Sequence, residues 1–215
     1  MGQEKRVKPD PQLIYRKISE LYPDAGCELD YVTETDLLVA IILSQQATDV
    51  SVNKLTKTLF AKYKTFADYA QAPLADLEAD IRAIGLFRTK AKNIQMASRI
   101  IQSEYGGIIP MQQELLEKLP GVGRKTANVF LAEWHKLPRI AVDTHVKRVA
   151  TRLGLAKDKD TPETVEKKLM EHYPPSEWIP LHHRFLFFGR YLCKARKPEC
   201  WRCPLIDVCH YPDRY

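Results

Sequence analysis

The chain has 215 residues, 45% of them hydrophobic and 28% charged, which is enough to bury one large core or two smaller ones. Its 33 Lys and Arg against 27 Asp and Glu leave a net charge of +6, which suits an anionic partner without naming one. The longest apolar run, Leu37 to Leu43, falls far short of the ~20 residues that span a bilayer, and Arg6 stands where a myristoylation motif needs Ser or Thr, so membrane attachment is not expected.

Apolar residues recur at helical spacing almost throughout, and strand-like alternation is scarce. Leu13, Ile14, Ile18 and Leu21 mark a first amphipathic helix, Asp36 to Gln46 an apolar buried one, and Val52, Leu55, Leu59 and Tyr63 a third. Pro73 is expected to open a helix bearing Leu74, Leu77, Ile81 and Ile84, which Gly85 ends, and a longer one follows from Arg88 to Ser103. A helix from Met111 to Leu119 stops at Pro120, Gly121-Val122-Gly123 forms a tight turn, and another helix runs from Arg124 towards Trp134. Three more are expected over 144–153, 162–172 and 180–192, with no low-complexity linker between them. The fold class is therefore all-α.

The turn at Gly121-Val122-Gly123 makes the segment a helix-hairpin-helix. Glycines at 121 and 123 allow φ values that other residues resist, so backbone N–H groups can point outward at the positive end of the next helix, a setting that suits phosphate. Lys125 falls in the first turn of that helix, where a second positive charge is disfavoured and a nucleophilic amine is favoured. The same hairpin also occurs in proteins that only hold DNA. Asp143, eighteen residues after Lys125, precedes a stretch with helical spacing at Val146, Val149 and Leu153 and reads as an N-cap.

Cys193, Cys200, Cys203 and Cys209 follow the spacing C-x6-C-x2-C-x5-C, and four thiolates in so short a loop can close around one metal centre. Disulfides are disfavoured because the chain shows no secretory signal, which points to a reducing cytosol. Zinc competes with an iron-sulfur cluster, although zinc ribbons usually bring two C-x2-C pairs and only Cys200 and Cys203 have that spacing. Cys27 stands apart as an ordinary, partly buried thiol. The heptapeptides starting at Gly85 and Gly121 share the pattern G-x-x-R-x-x-A, read here as two helix-turn-helix corners of similar turn chemistry.

From roughly Leu37 to Cys209, the LPGVGRKTA hairpin, Asp143 and the cysteine loop together resemble the endonuclease III family of the helix-hairpin-helix DNA glycosylase superfamily. The resemblance implies that Lys125 is the catalytic nucleophile, that Asp143 is its acid/base partner, and that the four cysteines hold a [4Fe-4S] cluster. It further implies that Leu86 wedges into the base stack, that Gln46 fills the gap left by an extruded nucleotide, and that His145 joins Gly121, Val122 and Gly123 in contacting DNA. Lys194, Arg196, Lys197 and Arg202, between the cysteines, are candidates for backbone phosphate. The implied architecture is two helical lobes with a DNA-binding cleft between them: a six-helix barrel over 27–137 containing the hairpin, and a lobe joining 1–26 to 138–215 with the cluster loop.

The implied activity is a bifunctional DNA glycosylase and AP lyase that excises oxidised pyrimidines in base excision repair. The partner would be damaged double-stranded DNA, with the protein a monomer in a bacterial cytoplasm, at the nucleoid when bound. A monofunctional mismatch or adenine-type glycosylase and a non-catalytic DNA-binding protein are the alternatives. One departure bears on the first of these, since position 45 is glutamine where the family commonly carries a small residue, and a Gln-Gln pair on this helix resembles the adenine glycosylase branch. That branch lacks the hairpin lysine and carries a further C-terminal domain, whereas this chain has Lys125 and ends six residues after Cys209.

Overall fold

The computed structural model describes residues 10–212, and every regular element among them is helical. The chain divides into two compact units, one running from Glu28 to Leu137 and the other combining the chain up to Cys27 with the chain from Pro138 onward.

In the continuous unit, α2 (Glu34–Ser44) follows α1 of the other unit (Pro11–Leu21) and is succeeded by α3 (Asp49–Lys62), α4 (Phe66–Gln71), α5 (Leu74–Asp80), α6 (Phe87–Tyr105), α7 (Gln113–Leu116) and α8 (Arg124–Glu133). The α2 helix is apolar all round because it is the centre of this core: Leu37 to Leu43 are all buried, and α3, α6 and α8 pack on it. Its start is fixed by a capping box in which Thr33 accepts from the Asp36 amide and Asp36 accepts from the Thr33 amide.

The other unit holds α1 together with α9 (Thr144–Arg152), α10 (Pro162–His172) and α11 (Trp178–Phe187). Ile14 and Ile18 carry α1 into a core with Val146, Val149, Leu169, Phe185 and Phe188, and the Tyr173 hydroxyl donates to the Pro11 carbonyl at 2.9 Å. Leu21, expected on the same apolar stripe, is exposed.

Four expectations need correction. The helix expected over 111–119 is regular only from Gln113 to Leu116. Beyond it Lys118 and Leu119 close on Leu115 and Leu116 by i→i+3 bonds, so the chain tightens as it enters the hairpin. The helix after Pro73 ends at Asp80, and Ile81 and Ile84 reach the core from successive turns instead. Gln45 and Gln46 lie beyond α2, since Gln45 has φ −60°, ψ 118° and Gln46 has φ 55°. The helix expected over 180–192 is α-helical only to Phe187 and then widens into a π-turn over Phe188–Leu192, whose Cys193 amide bonds the Phe188 carbonyl at 2.7 Å. The six-residue α4, with its Thr65/Asp68 capping box, is additional to the expected helices.

Candidate functional site

The hairpin is built by Gly121. Its φ of +82° is one that residues with a Cβ resist, and an added Cβ would lie 3.1 Å from Asn93 side-chain atoms, so a larger residue would be strained and would also crowd Asn93. At Gly123 the φ argument fails: φ is −93°, which any residue adopts. No heavy atom lies within 4 Å of a Cβ built there, so glycine at this position leaves the approach to the N-terminus of α8 clear. Val122 is 3% exposed and its amide donates to the Leu119 carbonyl at 3.0 Å, so it anchors the turn in the core and does not present that amide outward.

Lys125 is exposed in the first turn of α8. It lines an open groove of about 610 Å³ with Gln45, Glu117, Lys118, Gly123 and Thr126. The Gln45 side-chain amide enters this groove and donates to the Gly121 carbonyl at 2.7 Å and to Thr126 Oγ1 at 3.3 Å.

Two exposed side chains stand nearby on strained backbone. Leu86, at the N-cap of α6, is 59% exposed with φ 59°, and Gln46 is exposed with φ 55°. Left-handed backbone costs an L-residue about 1–2 kcal/mol, and a solvated leucine gains nothing in return. They are tied together through Lys90, one turn along α6 from Leu86. Its buried ammonium donates to the carbonyls of Leu43 (2.8 Å) and Gln45 (2.7 Å), and burial pushes its pKa down. Sequence reading missed Lys90. A lysine at a core-facing helical position is the signal that could have found it.

In the other unit, Asp143 caps α9: its Oδ1 accepts from the amides of His145 (2.8 Å) and Val146 (2.9 Å). Among the described residues no hydrogen bond engages Oδ2. The His145 ring is half-buried, and burial above all lowers its pKa below the ordinary 6.5, with Arg148 adding to the effect and Asp143 opposing it. Because arginine can only donate, the 3.1 Å contact from the Arg148 guanidinium makes His145 Nδ1 an acceptor. Gly189, in the π-turn, lies directly under this residue: an added Cβ would stand 2.9 Å from His145 Cβ and 3.2 Å from its carbonyl oxygen.

The π-turn delivers Cys193 to the cysteine loop. Arg148 donates to the carbonyls of Gly189 (2.7 Å) and Cys193 (3.0 Å). Arg152, one turn further along α9, donates to Cys193 Sγ (3.4 Å) and the Lys194 carbonyl (2.8 Å), and its guanidinium lies 3.8 Å from the centre of the Tyr211 ring. None of the four forms a disulfide among the described residues, and Cys193 and Cys209 are buried. Burial first of all pushes the Cys203 thiol up to about 11, and the neighbouring Cys209, Cys193 and Cys200 add to it, so the four sulfurs share one neighbourhood. A buried thiol that resists ionisation becomes a thiolate when a cation takes the place of its proton, and this donor set fits an iron-sulfur cluster. Among the described residues no three His, Cys, Asp or Glu side chains close on a single ion, which a cluster with irons and sulfides of its own does not require. All four basic loop residues are exposed, and two of them, Lys194 (2.6 Å) and Arg202 (2.5 Å), are paired with Glu199.

Residues 39–175 match the family model described as HhH-GPD superfamily base excision DNA repair protein, and residues 193–209 match the iron-sulfur binding domain of endonuclease III. The chain is 52% identical to the endonuclease III of Bacillus subtilis (strain 168) over 193 residues, covering 90% of this chain and 88% of that protein. It is 40% identical to the endonuclease III of Escherichia coli (strain K12) over 214 residues, covering 100% and 99%. Among solved structures, a trapped endonuclease III–DNA covalent intermediate in an estranged-adenine complex superposes with a TM-score of 0.90 at 49% identity, covering 93% of this chain and 95% of that one.

Proposed function

The chain belongs to the endonuclease III family of the HhH-GPD superfamily of base excision DNA repair proteins, and from its two sets of site residues we propose how it performs glycosylase and AP lyase chemistry. The protein is a DNA glycosylase with AP lyase activity, and its C-terminal loop is an iron-sulfur binding domain for a [4Fe-4S] cluster. Its substrates are oxidised pyrimidines in duplex DNA, together with abasic sites. The observation that carries the residue assignment is an exposed lysine in the first turn of α8, behind a turn whose positive φ at Gly121 favours glycine.

The Lys125 amine attacks the anomeric carbon of the damaged nucleotide. The new C–N bond forms as the glycosidic bond breaks, and its electron pair leaves with the base. Loss of a proton from nitrogen and opening of the sugar give an imine. The imine acidifies the adjacent sugar C–H, and removal of that proton expels the 3′ phosphate by β-elimination. Asp143 takes up and returns protons through Oδ2 and stabilises positive charge on the sugar, as carboxylates do in glycoside hydrolysis. Its Oδ1 is committed to the α9 cap, so the carboxylate acts from a fixed position.

Gly121, Gly123 and the α8 N-terminus receive phosphate, with Val122 holding the turn from within. Leu86 and Gln46 act at the base stack, and His145 contacts the backbone as a neutral ring. When bound, the cluster supplies four Fe–thiolate bonds that cross-link the loop through Cys193, Cys200, Cys203 and Cys209. The protein works as a monomer on damaged double-stranded DNA in the cytoplasm; no helix among the described residues is long and apolar enough to cross a membrane. Borohydride trapping on a panel of lesion and abasic duplexes, with products run with and without alkali, tests this reading. A covalent adduct and alkali-independent scission are expected, and base release without either would overturn it.

A further inference from the structure

We infer that Gln45 and Lys90 are positioning residues for lesion recognition, holding Gln46 so that the phosphate-binding hairpin and the stack-filling side chain act as one piece. The inference rests on the functional reading above and adds two residues to it.

The α2 helix ends without the glycine that commonly terminates helices, although its last carbonyls need partners. The chain supplies Lys90 instead. The residue is 4% exposed, no carboxylate pairs with its ammonium among the described residues, and that ammonium closes on the carbonyls of Leu43 and Gln45. A lysine is costly to bury, and glycine would end the helix without one. What glycine could not supply is the amide of Gln45, which reaches across to the Gly121 carbonyl and Thr126 Oγ1. Gln45 is therefore gripped at both ends, its carbonyl by α6 and its side chain by the hairpin. The next residue, Gln46, is forced to φ 55° with its side chain in solvent. Strain kept at an exposed polar residue, with two elements recruited to hold it, marks a side chain whose direction matters. Lys90 also follows Leu86 by one turn, its amide bonding the Leu86 carbonyl at 3.0 Å, so one chain of hydrogen bonds joins the wedge residue to the hairpin through Gln45, the residue next to the gap-filling glutamine.

The test separates this positioning from chemistry. The holoprotein is titrated against a duplex carrying 2-aminopurine opposite a reduced abasic analogue, where fluorescence reports unstacking of the orphaned base without strand scission. Gln45→Ala, and Gln45→Met with the donor removed, the size kept and no charge added, should weaken the fluorescent complex by about five- to tenfold, the range carried by one or two hydrogen bonds. Undamaged-duplex affinity and, within about 3 °C, the melting temperature should hold. Gln46→Ala should give a similar loss, and the Gln45/Gln46 double variant no more than either single one. Additive losses, equal weakening on undamaged duplex, or no change in either Gln45 variant would overturn the inference. Lys90→Met leaves two carbonyls unsatisfied and is prone to misfold, so the Gln45 variants carry the decision. Failure of the underlying functional reading is seen separately, as a wild-type protein that gives no borohydride adduct on an abasic duplex while the fluorescence pattern stands.

Discussion

Arg148 donates to the carbonyl of Cys193 at 3.0 Å, and through this bond the helix capped by Asp143 is also the helix that carries the first cysteine of the cluster loop. Arg152 repeats the arrangement one turn later, on the Cys193 sulfur itself. The cluster loop is thus anchored to the element that fixes the carboxylate.

The purified protein should accordingly be brown and hold about four irons per chain. Arg152→Ala should lose its visible absorbance in air about tenfold faster than wild type, because hydrogen bonds from a charged donor are among the stronger ones. Iron content and absorbance followed over time check this. Stoichiometric zinc without iron after anaerobic purification would refute the cluster.

Lys125→Gln should keep the fold and most DNA affinity yet abolish base release and the borohydride adduct, since an amide cannot form an imine. Asp143→Asn can still cap α9 and should fold normally while activity drops by about 10²- to 10⁴-fold. Melting curves beside single-turnover rates separate the two effects. A covalent adduct from Lys125→Gln would assign the nucleophile elsewhere.

The Asp143 cap and the exposure of Leu86 were legible in the sequence for different reasons. A cap is a local device, visible as an aspartate ahead of helical spacing, whereas an exposed leucine on that turn was expected only through the family resemblance. Lys90, Arg148 and Arg152 escaped because their partners lie more than forty residues away in the chain and leave no periodic trace. Gly123 misled in the opposite direction: two glycines two residues apart suggested a shared backbone need, but only Gly121 has a positive φ. The helix ends at Asp80 and Leu116 were overextended because buried isoleucines and leucines keep their spacing through turns as well as through helices.

Leu86→Gly should relieve a left-handed leucine worth about 1–2 kcal/mol against a glycine entropy cost of about 0.5–1 kcal/mol, so the melting temperature should not fall. Lesion capture should nevertheless weaken, with undamaged-duplex affinity nearly unchanged. Differential scanning calorimetry and binding to lesion and undamaged duplexes provide the comparison, and a large loss of stability would show that the leucine belongs to the core.

Binding should weaken steeply with salt, because phosphate contacts release counterions. His145 should not contribute to that slope near neutral pH, since burial lowers its pKa and leaves the ring neutral. His145→Gln should therefore lower affinity while leaving the slope of log K against log salt unchanged. A slope smaller by about one would mean that the ring binds as a cation.

Acid should remove one identifiable stabilising contribution. Asp68 accepts from the amides of Lys64 (2.8 Å) and Thr65 (2.9 Å), and these bonds hold its carboxyl below the ordinary 3.8. A folded pKa below the unfolded one contributes stability that is complete above the unfolded value and is lost as pH falls through the folded value. Wild type should thus melt above Asp68→Asn at neutral pH, and the gap should close as pH drops below 3.8. A gap that persists in acid would mean that the charge is not what matters.

Gly189 exposes the enzyme to damage from a distance. A single methyl group there would meet the first turn of α9 at His145, where neither partner is a flexible side-chain end that could swing aside. The residue is not one of those assigned to the chemistry or to the cluster, yet enlarging it would tilt the turn that the Asp143 carboxylate caps. In a survey of inherited or selected variants, such a position would pass for a catalytic residue on its phenotype alone, and only a preserved fold with a misaligned carboxylate would reveal that the fault lies in the spacing between two backbones.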